Sequence, residues 1–132
     1  MPATVLIVDD HGPFRARARM LLEQGGYVVI GEVADGASAI DAARRSAPEL
    51  VLLDIRLPDV DGFEVARRLC ARAPAPIVVL LSTADASDYG ERISRSCALG
   101  FLPKDELSLE ALAGLLPARG GRDQVPGGME GE

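Results

Sequence analysis

Five short runs of almost wholly apolar residues constrain most strongly what this chain can fold into. They are four to seven residues long and are typical of strands buried on both faces, as in a parallel sheet covered by helices on each side. The predicted strands are 4–8, 27–33, 50–53, 77–82 and 100–103. A segment with the apolar spacing of an amphipathic helix follows each strand, and these predicted helices are 13–24, 37–46, 61–72, 87–98 and 107–116.

This strand–helix alternation, repeated five times, predicts a doubly wound α/β domain. Because crossovers between parallel strands are right-handed, few topologies are possible. The flavodoxin-like strand order 2-1-3-4-5, with helices on both faces, suits five strands. Residues 1–116 are predicted to form this one domain. Residues 117–132 are rich in glycine, proline and charge, and are predicted to form a disordered C-terminal tail.

Charge and composition exclude several classes of function. The net charge of −6 argues against direct binding to nucleic acid, which needs clustered positive charge. No apolar run approaches the ~18 residues of a transmembrane helix, and the N-terminus lacks the pattern of a signal peptide. We therefore expect a cytoplasmic protein with no membrane partner. Cys70 and Cys97 lack the spacing of a metal site and are interpreted as small buried thiols in a reducing compartment.

Acidic residues stand where the first and third predicted strands end. Asp9 and Asp10 follow strand 4–8, and Asp54 follows strand 50–53. Taken alone, an aspartate at a strand end is equally well explained as a turn former or a helix cap. In the order 2-1-3-4-5, however, the ligand crevice lies between strands 1 and 3, so the three carboxylates converge there. Their repulsion calls for a cation, and oxygen ligands without histidine or cysteine favour Mg²⁺.

The other strand ends carry a hydroxyl pair and an ammonium group. Strand 77–82 ends in Ser82 and Thr83, and strand 100–103 is followed by Lys104. Lys104 is the one lysine in a chain with thirteen arginines, which suggests a need for a compact point charge at that position. Carboxylate, metal, hydroxyl and ammonium together describe a site for a phosphoryl group. The carboxylate would be the nucleophile, and the cations would neutralise the phosphate oxygens.

Four motifs, "VLIVDDH", "VLLDIRLPDVDGFEVAR", "VVLLSTAD" and "GFLPKDEL", together resemble the receiver domain of bacterial two-component response regulators. The resemblance covers about residues 4–116. It implies that Asp54 is the phosphoacceptor, phosphorylated by a histidine kinase or phosphotransfer protein. It further implies that Asp9 and Asp10 bind Mg²⁺ together with Asp54 and the backbone carbonyl of Arg56. By the same resemblance, Lys104 contacts the phosphoryl group.

The chain departs from the family pattern at the switch hydroxyl and at the proline beside the lysine, and the match at the aromatic position has two explanations. The family has one switch hydroxyl, which we assign to Ser82 by its spacing to the lysine, with Thr83 as the alternative. Phe101 matches the aromatic switch position, although simple core packing explains it equally well. A proline commonly follows the family lysine, whereas here Pro103 precedes Lys104, in a position that an edge strand tolerates.

The expected function is a phosphorylation-switched module that signals by contact with a downstream protein. We expect a stand-alone monomer or weak dimer, and the alternative is a receiver cut from a larger regulator with its own output domain. We expect no enzyme activity beyond self-phosphorylation and self-dephosphorylation. An aspartyl-phosphate phosphohydrolase resembling the haloacid dehalogenases needs a second acid where Arg56 stands. A flavin- or nucleotide-binding protein needs a phosphate loop where Asp9 and Asp10 would repel phosphate.

Overall fold

The computed structural model describes residues 3–83 and 88–116, which form five strands and five α-helices in strict alternation. The strands are β1 (Thr4–Val8), β2 (Val28–Val33), β3 (Leu50–Asp54), β4 (Ile77–Ser82) and β5 (Gly100–Pro103). The helices are α1 (Gly12–Gln24), α2 (Gly36–Ser46), α3 (Gly62–Cys70), α4 (Glu91–Arg95) and α5 (Leu109–Leu115), with a 3₁₀ turn at Lys104–Glu106. The predicted tail lies outside the described residues.

The strands form one parallel sheet in the order β2-β1-β3-β4-β5, which confirms the predicted flavodoxin-like topology. Val8 of β1 lies beside Leu53 of β3, so these two strands end at the same level of the sheet. In β4, Leu81 lies beside Asp54, which puts the end of that strand next to the end of β3. The ends of the three central strands therefore meet at one edge, where the predicted site residues follow.

The side chains of the central strands point alternately to the two faces of the sheet and pack in two separate cores, one on each face. In β1, Leu6 and Val8 face the core under α2 and α3, whereas Val5 and Ile7 face the core under α1 and α5. This division explains why the central strands are almost wholly apolar, because helices cover both faces of the sheet. The buried helix residues of the first core are Ala39, Ala42, Ala43, Val65, Ala66 and Leu69, and those of the second are Phe14, Ala18, Leu22 and Leu112.

The fourth helix is shorter than its apolar spacing predicts. The sequence predicts a helix over 87–98, and the described part of that range is α-helical only at Glu91–Arg95. Gly90 precedes the helix with a positive φ of 53°, a conformation that glycine adopts readily, and the extended backbone of Ser96 ends it. No residue of α4 is buried, so little packing energy favours a longer helix.

The segment between β3 and α3 is fastened to the start of α2. The Asp59 carboxylate accepts hydrogen bonds from the backbone nitrogens of Gly36 and Ala37, at 2.8 and 3.0 Å. These bonds lower the pKa of Asp59 from its usual value, and the bond from Gly36 has the larger effect. They use amide groups that have no partner within the helix. The chain that follows Asp54 is thereby held in place.

The two cysteines are joined in a disulfide, so the interpretation as separate thiols was wrong. Cys70 ends α3, and Cys97 lies between α4 and β5. Packing of these two elements side by side brings the Cα atoms to 6.4 Å, within the range that a disulfide spans. Their separation of 27 residues carries no local sequence signal for pairing.

Among the described residues, no helix combines the length and apolar character that crossing a membrane requires.

Candidate functional site

Three carboxylates meet at the ends of β1 and β3, as predicted. Asp9, Asp10 and Asp54 each offer an oxygen within 4.8 Å of the other two. Asp9 is fully buried and Asp54 is 4% exposed, whereas Asp10 is exposed to solvent. Buried carboxylates are costly unless opposite charges or hydrogen bonds compensate them. The cluster is therefore either balanced from within the protein or open to a cation at Asp10.

Lys104 supplies the balancing charge. Its Nζ lies 2.6 Å from Asp9 Oδ2 and 3.2 Å from Asp54 Oδ2, and the side chain is only 12% exposed. Burial by itself lowers the pKa of Lys104, but the hydrogen bond to Asp9 and the charges of Asp54 and Asp9 outweigh it, so the pKa is raised. The ring of Phe14, with its centroid 5.0 Å from Nζ, lies under the ammonium group. The single lysine of the chain thus stands inside the acidic cluster.

Backbone amides orient the two buried carboxylates in the same way. Asp9 Oδ1 accepts a hydrogen bond from the His11 nitrogen at 2.8 Å, and Asp54 Oδ1 accepts one from the Arg56 nitrogen at 3.1 Å. In each residue the second oxygen, Oδ2, is the one that faces Lys104. Burial raises the pKa of Asp54, and the Arg56 amide and the Lys104 charge offset only part of that effect. Asp54 is thus a partly desolvated carboxylate in a defined orientation.

The two candidate hydroxyls have different surroundings. Ser82 is 1% exposed and lies beside Pro103, whereas Thr83 is exposed and lines a cavity of about 440 Å³ together with Lys104. Ser82 Oγ lies 3.0 Å from the hydroxyl oxygen of Tyr89 and shares a hydrogen bond with it. Ser82 is therefore the hydroxyl that the fold holds at the end of β4.

Tyr89 links the hydroxyl to the aromatic residues on the same face of the sheet. Its ring lies between those of Phe63 and Phe101, with centroid distances of 5.8 and 6.2 Å. Phe101 is half-buried and belongs to this aromatic group, not to the acidic cluster. In the sequence, Tyr89 is only one of the apolar residues of the predicted helix 87–98. The apolar spacing of that helix does not predict the contact of its hydroxyl with Ser82.

Arg15 is a second residue that the sequence analysis missed. Its guanidinium donates a hydrogen bond to the backbone carbonyl of Asp9 and lies 3.5 Å from a carboxylate oxygen of Glu32. Arg15 therefore supports the backbone at the first acid from one turn into α1. No short motif contains this contact, because it joins a helix to the end of the preceding strand.

The donor set of the cluster fits a hard divalent cation. Its potential ligands are carboxylate oxygens, with no nitrogen or sulfur donor among them, and ions such as Mg²⁺ prefer such sites. Asp10 is open to solvent and provides an entry side. The structure gives the Arg56 nitrogen, and not its carbonyl, a contact with Asp54, so the carbonyl ligand stays a prediction.

Comparison with known proteins identifies the family. The model of the response regulator receiver domain matches residues 5–115. The transcription regulator BvgA of Bordetella pertussis is 40% identical over 102 residues, which cover 77% of this chain and 49% of BvgA. The regulatory protein PdtaR of Mycobacterium tuberculosis is 34% identical over 104 residues, which cover 79% of this chain and 50% of PdtaR. The chain spans about half the length of these curated relatives.

Solved structures agree with the sequence comparison. The receiver domain of the response regulator NarL from Mycobacterium tuberculosis superposes with a TM-score of 0.75 at 32% identity, covering 86% of this chain and 94% of that domain. The chemotaxis response regulator CheY4 of Vibrio cholerae superposes with a TM-score of 0.78, covering 88% of this chain and all of CheY4. At 24% identity it supports the fold alone. The chain belongs to the response regulator receiver domain family.

Proposed function

We propose that Asp54 accepts a phosphoryl group from a phosphohistidine of a histidine kinase or phosphotransfer protein. The observation that carries this proposal is the position of its carboxylate, which is held between Lys104 and two further acids at the open edge of the sheet. In the reaction, an oxygen of Asp54 attacks phosphorus and the phosphorus–nitrogen bond of the donor breaks. The histidine leaves with the bonding electron pair, and an aspartyl phosphate forms.

The residues around Asp54 have complementary roles in this reaction. Lys104, already 3.2 Å from Asp54, stabilises the added negative charge on the phosphoryl oxygens. Asp9 and Asp10, with Asp54 and the Arg56 carbonyl, would hold Mg²⁺. When bound, that ion neutralises the carboxylates and the phosphoryl oxygens. An enzyme of the phosphohydrolase type would need an acid at position 56, where an exposed arginine stands.

The signal then passes through the hydroxyl and the aromatic group. A phosphoryl oxygen is a charged acceptor and binds a hydroxyl more strongly than a phenol does, so Ser82 turns from Tyr89 toward Asp54. Thr83 is the alternative hydroxyl. Once Ser82 has turned, the Tyr89 ring is released and Phe101 repacks beside it. We infer that α4, β5 and α5 form the surface that a downstream protein reads.

Partners and setting follow from this chemistry. We propose a histidine kinase or phosphotransfer protein upstream and a protein target downstream, with the domain at residues 1–116 acting as the switch. The cytoplasm is the expected location, because kinases draw phosphoryl groups from ATP there. BvgA and PdtaR are named as regulators of transcription, and this domain covers about half of each. The same switch would serve a stand-alone receiver or one joined to an output domain.

Phosphorylation by a small donor tests the proposed function. Treatment with acetyl phosphate and Mg²⁺ is expected to add one phosphoryl group, detected by intact-mass spectrometry, because the ion must offset the carboxylates before an anionic donor can approach. With EDTA in place of Mg²⁺, the phosphorylated species is expected to disappear. Equal incorporation with and without the divalent ion would contradict the role given to the acidic cluster.

Replacing Tyr89 by phenylalanine tests the resting arrangement of the switch. The ring stays between Phe63 and Phe101, but the hydrogen bond to Ser82 is lost. That bond is worth about 1 kcal/mol, or about five-fold in an equilibrium constant. Because it holds the unphosphorylated form, the variant is expected to bind beryllofluoride, a phosphoryl mimic, more tightly by about that factor. Tyr27→Phe alters the other tyrosine and serves as control. Weaker binding by the Tyr89 variant would reverse the assigned role.

A further inference from the structure

The Cys70–Cys97 disulfide lies where a reductant can reach it. Cys97 is exposed and Cys70 is half-buried. Both line a cavity of about 530 Å³ between α3 and α4, together with Phe63, Arg67, Arg92 and Arg95. None of the acidic-cluster residues lines this cavity. A reductant could therefore reach the disulfide without entering the site of the acidic cluster.

This bond is a covalent link between the described chain around α4 and helix α3. The helix has five residues and buries none of them. Among the described residues, its side-chain contacts with α3 include an ion pair of Arg92 with Asp61 and the stacking of Arg92 on Phe63, with the guanidinium carbon 4.3 Å from the ring centroid. The arginine and aspartate side chains are 57% and 44% exposed, and such pairs contribute little in water. Without the disulfide, the described contacts between this segment and α3 include the exposed pair of Arg92 with Asp61 and the contacts of Arg92 and Tyr89 with Phe63.

The segment restrained by the disulfide also carries the switch contact. Tyr89, which hydrogen-bonds to Ser82, lies two residues before α4, and Cys97 lies two residues after it. A displacement of the Tyr89 backbone is therefore coupled to a helix that Cys97, two residues beyond its end, links covalently to α3. Reduction of the disulfide removes this restraint on the segment.

We propose that Cys70 and Cys97 form a redox site, in which the disulfide holds the described segment 88–99 in its resting position and reduction frees that segment to respond to phosphorylation. This inference rests on the proposed function of Asp54. Intracellular disulfides are usually transient and redox-sensing. This agrees with a bond that has one exposed cysteine and that fixes a helix with no buried residue. The partner of the site is a dithiol reductant.

The reduction is balanced as ordinary thiol–disulfide exchange. A thiolate of the dithiol attacks the sulfur of Cys97, the more exposed of the two residues, the bond between the two protein sulfurs breaks, and Cys70 leaves as a thiolate. The second thiol of the reductant then displaces Cys97, so the reductant becomes a disulfide and the protein gains two electrons and two protons. The arginines that line the cavity, Arg67, Arg92 and Arg95, favour the leaving thiolate.

The test compares oxidised protein with protein reduced by dithiothreitol. Alkylation with iodoacetamide followed by intact-mass measurement establishes the state of the two cysteines. Reduction is expected to increase amide hydrogen exchange over 88–99 and to tighten beryllofluoride binding by about five-fold or more, the lower end of typical coupling between two sites. The double variant Cys70→Ser, Cys97→Ser should behave like reduced wild type and should not respond to dithiothreitol.

Specific results would overturn the proposal. One is alkylation of both cysteines after treatment with oxidised glutathione, which would show that the disulfide does not form. Another is equal exchange and equal beryllofluoride binding in the two redox states. Absence of beryllofluoride binding in both states would instead refute the function of Asp54. The exchange measured without beryllofluoride would then decide by itself whether the disulfide restrains segment 88–99.

Discussion

Replacing Asp54 by asparagine is expected to abolish phosphorylation by acetyl phosphate while leaving the fold intact. The amide has the same shape and its oxygen can still accept the hydrogen bond from the Arg56 nitrogen, but it is not a nucleophile toward phosphorus. The loss should therefore be complete within the detection limit of intact-mass spectrometry, and the urea unfolding transition should stay cooperative.

Asp41→Asn provides the matched control. Asp41 is an exposed aspartate of α2 that pairs with Arg44 and Arg45 on the helix surface. This variant loses a carboxylate of the same kind outside the acidic cluster and should be phosphorylated like the wild type. If the Asp54 variant acquires a phosphoryl group to the wild-type extent, another residue is the acceptor and the proposed site is wrong.

Replacing Gly62 by alanine is expected to lower the free energy of unfolding by about 3 kcal/mol, the upper range for overpacking in a dense interior. A Cβ at this first residue of α3 would lie 2.5 Å from the backbone oxygen of Asp54 and 2.6 Å from the Cα of Ile55. Both neighbours are backbone atoms, which cannot rotate away as a side chain can. The junction between β3 and α3 must open, and Asp54 must shift with it. Phosphorylation by acetyl phosphate should therefore slow as well.

Gly114→Ala is the control for this substitution and is expected to act in the opposite direction. Gly114 lies inside α5, and an added Cβ would meet no atom within 4 Å. Alanine in a helix interior is favoured over glycine by about 0.5–1 kcal/mol, so this variant should be more stable than the wild type. Urea denaturation measures the free energy of unfolding of both glycine variants. Wild-type stability in Gly62→Ala would show that the β3–α3 junction tolerates a side chain.

The sequence by itself determined the topology and the acidic cluster. Strand runs that are almost wholly apolar favour helices on both faces, and the right-handed crossover then leaves few strand orders. Because parallel strands run in the same direction, the carboxyl ends of β1 and β3 lie at one edge of the sheet, with Val8 beside Leu53. Asp9, Asp10 and Asp54 could therefore be placed together, and Lys104 near them, from local pattern and strand order alone.

The tertiary structure alone decided the contacts that depend on how one element lies against another. Cys70 and Cys97 are 27 residues apart, and they pair because α3 packs beside the chain that leads into β5. The contact of Tyr89 with Ser82, like that of Arg15 with the carbonyl of Asp9, depends on how a segment lies across a strand end. Apolar spacing reports which face of a helix is buried, but carries no information about which polar group that face will meet.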